Sequence, residues 1–237
     1  MQTRLAYLQR AQGIGLFTAQ PGMGKTYALR CFAATLNPNL AVMSYSCLST
    51  ITVKEFYRQL CQQLGLEPSS RKPDMFEAIQ ARVRFLRKEK KQAVLIAMDE
   101  GQYLDTKILR DLKLLMNQEY DSLDCFSLIL LGLPHLNHIL EKPVHEALKQ
   151  RIVVHYNFTG LTKEETAEYI FTRLEAAQGS RSIMEEAAVH AIAGYAQGIP
   201  RTINAIMTDA LVLGAQQNKP TIDADTILEA SNHLMLG

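Results

Sequence analysis

The sequence predicts an α/β fold, in which a five-stranded, mainly parallel sheet lies between helices and a small all-helical lid follows. Over the first 160 residues, short apolar runs alternate with segments of helical periodicity, as expected of strand–helix–strand units. Two of the runs are uninterrupted, which is typical of parallel strands buried on both faces. Beyond Gly160 only helical periodicity remains, so we place the two domains at 1–160 and 161–237.

Each element is predicted from its local pattern. Strands are expected at 14–18, 40–45, 93–100, 126–132 and 152–158. Helices are expected at 2–12, 25–36, 53–64, 74–90 and 106–118, with two short helical turns at 135–141 and 144–150. The lid should contain helices at 163–177, 184–195, 200–217 and 222–233. Thr162, followed three residues later by Glu165, has the pattern of a capping box for the first of these.

Composition limits the class of protein. The chain has 237 residues, of which 47% are apolar and 21% charged, as is ordinary for a globular protein. Its formal net charge of +1 gives no overall attraction to nucleic acid, so such binding would need a local basic patch. No apolar run approaches the roughly 18 residues of a membrane-spanning helix, and the four cysteines show no C-x-x-C spacing. We therefore expect a cytoplasmic protein with reduced thiols.

The stretch from Gly15 to Thr26 matches the phosphate-loop pattern G-x-x-x-x-G-K-[ST] between a strand and a helix, with Ala19 in place of the first glycine. In such a loop, backbone N–H groups and the helix N-terminus point at phosphate oxygens, where the peptide dipoles favour negative charge. Lys25 would reach the β- and γ-phosphates of ATP, and the Thr26 hydroxyl would bind Mg²⁺. The predicted nucleotide-binding residues are Ala19, Gln20, Pro21, Gly22, Met23, Gly24, Lys25, Thr26 and Tyr27. The alternative is a glycine-rich turn that ends in Lys-Thr by chance.

Two carboxylates end the buried strand near residue 93. Ligands of open parallel sheets bind at the carboxyl ends of the strands, so Asp99 and Glu100 should face the phosphate loop. Asp99 is predicted to hold Mg²⁺, directly or through water, and Glu100 to orient and deprotonate the water that attacks the γ-phosphate. The pairing favours ATP hydrolysis over transfer to a second substrate. Acids also end strands commonly for other reasons, so the prediction depends on the phosphate loop upstream.

Five further segments carry short motifs: Asp99–Leu104 (Asp-Glu-Gly-Gln-Tyr-Leu), Leu130–Pro134, Gln150–Ile152, Gly160–Leu174 and Gly198–Asn204. Together with the phosphate loop they resemble the motifs of AAA+ ATPases. Within that class the chain is similar to the group that contains the ExeA, TniB, TnsC and MuB proteins, which are ATPases of general secretion and of transposition. The resemblance covers nearly the whole chain.

The resemblance implies two arginines at the nucleotide site. Arg201, after Gly198-Ile199-Pro200, matches the arginine of the helical lid that touches the γ-phosphate. Arg151 matches the arginine finger that one subunit offers to the nucleotide of its neighbour, where it would stabilise charge on the γ-phosphoryl oxygens. With Lys25 and Glu100, these are the predicted catalytic residues. A surface salt bridge is the alternative for each arginine, and Lys149 could act in place of Arg151.

The chain departs from the family pattern at two points. Leu133 stands where the family usually has a polar residue that senses the γ-phosphate, so that role would be missing or supplied by Asn117 or His135. We therefore expect slow hydrolysis. The first strand also begins close to residue 1, whereas members of the family usually carry a longer N-terminal segment over the adenine, so weaker nucleotide affinity is expected.

Transposition ATPases of this group imply a set of partners: a DDE-type transposase, double-stranded DNA bound through its phosphates, and further copies of the chain in a ring or helical filament. Short hydroxyl and basic residues would supply the DNA contacts; the candidates are Ser49, Thr50, Thr52, Lys54, Arg71 and Lys72. A capping Ser/Thr turn and a solvated charge run are equally good explanations of these residues. The basic face at 82–91 is interpreted as solvated.

Three functions follow from these observations. The chain is expected to be an ATP-dependent, DNA-assembled regulator that recruits or activates a transposase. The first alternative is a secretion-type ATPase of the ExeA kind. The second is a nucleotide-gated scaffold with little turnover, which the apolar residue at Leu133 suggests.

Overall fold

The structure is a computed structural model that describes residues 1–47, 52–118 and 123–236. The chain divides into two compact units. The first comprises Met1–Gln20 and Lys25–Phe158, and the second combines Pro21–Gly24 with the chain from Thr159 onward. The middle of the phosphate loop, Pro21–Gly24, therefore belongs to the second unit, and its two ends belong to the first.

The first unit is built on a five-stranded sheet, as predicted. Its strands are β1 (Gly13–Thr18), β2 (Ala41–Cys47), β3 (Ala93–Asp99), β6 (Ser127–Gly132) and β7 (Ile152–Asn157). They are ordered β2-β3-β6-β1-β7, and every neighbouring pair is parallel. The strands β4 (Asn117–Gln118) and β5 (Leu123–Asp124) form a separate antiparallel pair.

Helices cover both faces of the sheet because alternate strand residues point to opposite sides. The helices of this unit are α1 (Gln2–Ala11), α2 (Lys25–Thr35), α3 (Val53–Gln63), α4 (Lys72–Lys88), α5 (Thr106–Met116), α6 (His135–Leu140) and α7 (Glu146–Lys149). Ile96 and Leu128 belong to one apolar cluster, with residues of α3, α4 and α5. Leu95 and Ile129, their neighbours along the strands, belong to the other, with residues of α1 and α2. The predicted burial of these strands on both faces is confirmed.

The second unit is all-helical, with α8 (Lys163–Ala176), α9 (Glu186–Ala196), α10 (Pro200–Gln216) and α11 (Ala224–Leu236) around an apolar core of its own. The predicted capping box is present: the Thr162 hydroxyl accepts from the Glu165 N–H at 3.2 Å, and the Glu165 carboxylate accepts from the Thr162 N–H at 2.9 Å. These reciprocal bonds satisfy two N–H groups that a helix start leaves without partners.

Several predicted boundaries shift by one to three residues in the structure, and three of these shifts have a clear physical reason. The helix expected to reach residue 118 ends at Met116, because Asn117 enters the small β4–β5 pair, whose two-residue strands are too short to show periodicity. The helix predicted from residue 74 begins at Lys72, since Pro73 in the first turn needs no N–H partner. The helix predicted from 184 begins at Glu186, because Met184 forms a β-bridge with Ile222.

Within the described residues, no helix combines the length and the apolar character that crossing a membrane requires.

Candidate active site

The phosphate loop leaves the carboxyl end of β1 and enters α2. Gly22 and Gly24 have φ of +81° and +84°, the left-handed region that glycine adopts without a steric penalty. Ala19 lies outside that region; its N–H donates to the Gly132 carbonyl at 3.1 Å, and its side chain is buried. The position therefore does not require a glycine, which explains how alanine replaces the first glycine of the motif.

Lys25 is held against the backbone of the loop. Its side chain is only 7% exposed, and its Nζ donates to the Ala19 carbonyl at 3.1 Å. This contact fixes the ammonium group at the start of α2, where the N–H groups of the first helical turn also lie. Thr26 and Tyr27 follow on the exposed side of the helix.

The buried carboxylate of Asp99 joins the loop to the sheet. The Thr26 hydroxyl donates to Asp99 Oδ2 at 2.6 Å, and the Glu100 N–H donates to Asp99 Oδ1 at 2.9 Å. Residues 73 positions apart are thus brought together, as the motifs predicted. A hydroxyl and a carboxylate are the hard oxygen donors that Mg²⁺ prefers, so Thr26 and Asp99 fit this ion.

Tyr45 is a third partner of this carboxylate, which the sequence motifs did not predict. Its hydroxyl donates to Asp99 Oδ2 at 3.1 Å. Burial, followed by the charge of Asp99, raises the pKa of Tyr45, so the phenol stays protonated and remains a donor. The position near the end of β2 was the available signal, because the carboxyl ends of neighbouring parallel strands lie at the same edge of the sheet.

Glu100 directly follows the strand and has a left-handed backbone, with φ of 53°. Gln102 holds its carboxylate: Gln102 Nε2 donates to Glu100 Oε2 at 2.5 Å. The other end of the same amide, Oε1, accepts from the Leu133 N–H at 3.0 Å. Gln102 is also absent from the predicted site, although it belongs to the Asp99–Leu104 motif.

Leu133 occupies the position where the family usually has a polar γ-phosphate sensor, so that position carries an apolar side chain. A polar cluster lies beside the phosphate loop instead. Asn137 Nδ2 donates to Thr18 Oγ1 at 3.3 Å and to Asn157 Oδ1 at 3.4 Å, and Asn137 Oδ1 lies 3.1 Å from His155 Nε2. Thr18 also donates to Asn157 Oδ1. Of the two suggested substitutes, Asn117 opens the β4–β5 pair and His135 begins α6.

The two predicted arginines occupy different units. Arg151 directly precedes β7, and its carbonyl accepts from the Ile14 N–H at 2.9 Å, at the amino end of β1. At about 3.3 Å per strand residue, it lies roughly 15 Å along the sheet from the phosphate loop of its own chain. Arg201, in the second unit, donates its N–H to the Gly22 carbonyl at 3.3 Å. A Cβ at Gly22 would lie 2.7 Å from Arg201 Cβ, which gives a packing reason for this glycine.

The predicted DNA contacts have varied surroundings. Thr52 caps α3 in a capping box with Glu55, and Lys72 Nζ lies 2.6 Å from Asp111 Oδ2. Arg71 and Lys54 are exposed, and Arg71 Nε lies 4.0 Å from Asp74. Thr52 thus has the capping role that was its alternative explanation, whereas Lys72 forms an ion pair that neither explanation predicted. Ser49 and Thr50 lie outside the described residues.

A phosphate loop, a buried carboxylate that meets its threonine, and a parallel sheet of this strand order define a P-loop nucleotide-binding protein. The chain belongs to the AAA domain family, whose pattern matches residues 8–140. This match places the chain in a family of P-loop ATPases.

The chain is also similar to proteins of known identity, and the solved structures among them share its fold. General secretion pathway protein A of Aeromonas hydrophila is 29% identical over 207 residues, which are 86% of this chain but 38% of that protein. Among solved structures, Cdc6p of Pyrobaculum aerophilum has a TM-score of 0.71 at 18% identity, covering 98% of this chain and 65% of that one. The ORC1 protein of Aeropyrum pernix in complex with DNA has a TM-score of 0.66 at 17% identity, covering 98% and 64%. This chain therefore spans less than two thirds of each of these proteins.

Proposed function

We propose that the protein binds ATP with Mg²⁺ and hydrolyses it to ADP and phosphate. The contact between the Thr26 hydroxyl and Asp99 Oδ2, at 2.6 Å, carries this proposal, because it joins the two predicted metal ligands across the loop and the sheet. Membership of the AAA domain family supports the general class of activity.

The site residues of the first unit each have a role in the proposed hydrolysis. Lys25, fixed on the loop carbonyl of Ala19, binds the β- and γ-phosphates. Bound Mg²⁺, held by Thr26 and Asp99, would neutralise charge on the phosphate oxygens. Glu100 orients the attacking water and accepts its proton. Tyr45 keeps the Asp99 carboxylate in place through its hydrogen bond.

The arginines extend the proposal to several subunits. Because Arg151 lies at the opposite edge of the sheet from its own phosphate loop, it would act on the nucleotide of a neighbouring copy. Arg201 would contact the γ-phosphate from the helical lid. Head-to-tail contacts of this kind produce rings when they close and filaments when they do not. We expect slow hydrolysis, because Leu133 offers no polar group to the γ-phosphate.

Phosphate release from the purified protein, with and without Mg²⁺, tests hydrolysis. Removing a general base typically costs about 100- to 10,000-fold, so Glu100→Gln should lower turnover by about that much and leave ATP binding intact. Glu141→Gln, on the exposed end of α6, is the matched control and should turn over normally. Equal turnover by the Glu100→Gln variant and the wild type would refute the proposal and favour a nucleotide-gated scaffold.

We further propose that ATP-bound subunits assemble on double-stranded DNA and recruit or activate a DDE-type transposase. The motif resemblance to transposition ATPases supports this setting, and the exposed Lys54 and Arg71 are the candidate phosphate contacts. Sedimentation with duplex DNA and a slowly hydrolysed ATP analogue tests it. Nucleotide-dependent co-sedimentation should weaken in a Lys54→Ala, Arg71→Ala variant and with rising salt. Absence of assembly on DNA would reject this setting without affecting hydrolysis.

A secretion-type function is the second candidate, because the similarity to general secretion pathway protein A covers 86% of this chain. This function predicts nucleotide-dependent assembly that is indifferent to DNA. The sedimentation experiment, run in parallel without DNA, therefore distinguishes the transposition function from the secretion-type function.

A further inference from the structure

The side chain of Gln102 connects Glu100 to the backbone of Leu133, which directly follows β6. Leu133 occupies the position where the family usually has a polar γ-phosphate sensor. The Gln102 amide donates to Glu100 Oε2 at 2.5 Å and accepts from the Leu133 N–H at 3.0 Å. Gln102 is only 7% exposed, so both bonds form away from bulk water, where they are stronger than at the surface. One buried amide thus links the end of β3 to the end of β6.

The orientation of this amide is fixed by its neighbours. The Leu133 N–H is a donor, so the atom facing it must be the carbonyl oxygen Oε1. The NH₂ group then faces Glu100, whose ionised carboxylate can only accept. A glutamine satisfies both partners at once, whereas a glutamate would turn a carboxylate oxygen toward Glu100.

The strand provides space for this bridge. A Cβ on Gly132 would lie 2.7 Å from Gln102 Oε1 and 2.7 Å from Leu136 Cδ2. Both distances are too short, so any larger residue would displace the amide or the leucine. The glycine before Leu133 therefore has a specific reason to be present.

We propose that Gln102 is the positioning residue for Glu100, which it ties to the backbone of Leu133. This inference rests on the proposed hydrolysis at Glu100. With Oε2 held by Gln102, Glu100 Oε1 is left to accept the proton of the attacking water. A glutamate has three side-chain torsions, so a general base at this position needs such a restraint to keep its orientation.

Turnover kinetics test the positioning role. Loss of a supporting hydrogen bond of this kind typically costs about 10- to 100-fold in activity, so Gln102→Ala should lower kcat by that amount. The KM for ATP should stay within about twofold, because the amide acts after binding. Gln80→Ala is the matched control: Gln80 also bridges elements, donating to the Leu114 and Asn117 carbonyls, but lies in α4. It should leave kcat unchanged.

A pH profile of Gln102→Glu distinguishes positioning from a merely structural role. The titratable groups around the bridge are Glu100 and Asp99, with the Tyr45 hydroxyl on Asp99. Leu133 and Leu136 meet it from the other side, and His135 is the titratable residue next to them at the start of α6. When the introduced carboxyl group is protonated, it can donate a hydrogen bond to Glu100. When it is ionised, its negative charge repels the Glu100 carboxylate. Turnover of this variant relative to the wild type should therefore rise as the pH falls.

The outcomes separate this inference from the proposed function. If Glu100→Gln abolishes turnover and Gln102→Ala does not lower kcat, Gln102 is not the positioning residue, although hydrolysis stands. If Glu100→Gln leaves turnover unchanged, both fail together. In the double variant, Gln102→Ala should cause no further loss on the Glu100→Gln background, because the residue it positions has already been removed. An additional loss there, or a pH-independent activity ratio for Gln102→Glu, would overturn the inference.

Discussion

Two hydrogen-bonded networks lie at the carboxyl edge of the same sheet, and they differ in charge. The metal-side network comprises Thr26, Tyr45, Asp99, Glu100 and Gln102, and it contains two carboxylates. The edge network comprises Thr18, Asn137, His155 and Asn157, and it contains none. The first draws on β2, β3 and α2, and the second on β1, β7 and α6.

This difference in charge indicates which polar groups can take part in catalysis. A carboxylate offers several acceptor positions, so Asp99 and Glu100 can bind a cation or a proton in addition to their protein partners. In the edge network, neutral amides and a hydroxyl bond to one another and join the edge strand β7 to β1 and α6. The proposed hydrolysis therefore belongs to the first network, and the second attaches the edge strand.

The strongest test is to remove one charge from the metal-side network. Asp99→Asn retains the shape of the side chain but loses the charge expected to hold Mg²⁺. Turnover should fall by about a hundredfold or more, in line with other losses of electrostatic stabilisation at active sites. Phosphate release at saturating ATP measures it. Normal turnover in this variant would remove the distinction between the two networks.

A carboxylate in the second unit extends the comparison. Asp223 accepts from Lys219 Nζ at 2.8 Å and from the Thr226 N–H at 2.8 Å, next to the start of α11. The Lys219 ammonium thus compensates its charge within the chain, so Asp223 should stabilise the fold and not bind a cation. Asp223→Ala should lower the free energy of unfolding by about 1 kcal/mol, as for other helix caps. Chemical denaturation measures this loss, and turnover should be unaffected in native buffer.

The pH dependence of Asp223 has a definite sign. Lys219, followed by the N–H and the hydroxyl of Thr226, lowers the pKa of Asp223 below its ordinary 3.8. A carboxyl whose pKa is lower in the folded state stabilises that state when ionised, so its contribution is complete above the unfolded pKa. The contribution is lost as the pH falls below 3.8 toward the folded pKa. The stability difference between wild type and Asp223→Ala should shrink over that range.

The hydroxyl of Tyr45 should have a smaller effect. Tyr45→Phe removes one hydrogen bond to Asp99 and keeps the aromatic ring. A loss of about 1 kcal/mol corresponds to roughly fivefold in turnover. Titration of activity with Mg²⁺ should show a weaker apparent affinity, because Asp99 would then be less firmly held. Tyr103→Phe, on an exposed tyrosine in the same unit, is the control.

The edge network should give the smallest change in activity. Asn137→Ala removes its bonds to Thr18, Asn157 and His155. Asn157 and His155 are exposed, so water can replace their lost bonds, and the buried Thr18 hydroxyl keeps its own bond to Asn157. We therefore expect less than about 1 kcal/mol of destabilisation. Turnover should remain close to that of the wild type. A large loss of turnover with normal stability would instead make Asn137 the missing polar sensor.

Local sequence patterns were sufficient for the parts of the site that depend on the order of elements. The phosphate loop, Asp99 and Glu100 follow from a motif and from the rule that strand ends share an edge. The same rule brings the end of β2 to this edge, but it does not identify which residue there reaches Asp99, and it does not predict the contact of Gln102 with Glu100. Tyr45 depends on the register that sets Cys47 opposite Asp99, and Gln102 depends on the left-handed turn at Glu100. Neither the register nor the turn leaves a periodic signal in the sequence.

The same limit applies to the edge network and to the β4–β5 pair. Thr18 lies opposite Asn157 because β1 and β7 pair with a shift in register after Ile14. No residue type in the sequence indicates that shift. Thr52 is the opposite case: its capping box with Glu55 is a local pattern, and the competing explanation for this residue was already visible in the sequence.

The position of Arg151 has a consequence for the kinetics of an assembly. Glu100 follows the carboxyl end of β3 and Arg151 precedes the amino end of β7, so one subunit has Glu100 and Arg151 at opposite edges of its sheet. If Arg151 completes the site of the next copy, an open stack always contains one terminal subunit without a donor, whereas a closed ring contains none. Specific activity should then increase with stack length toward the value of a ring. Dilution favours shorter stacks, so it should lower the rate of ATP turnover per subunit even when every site holds ATP.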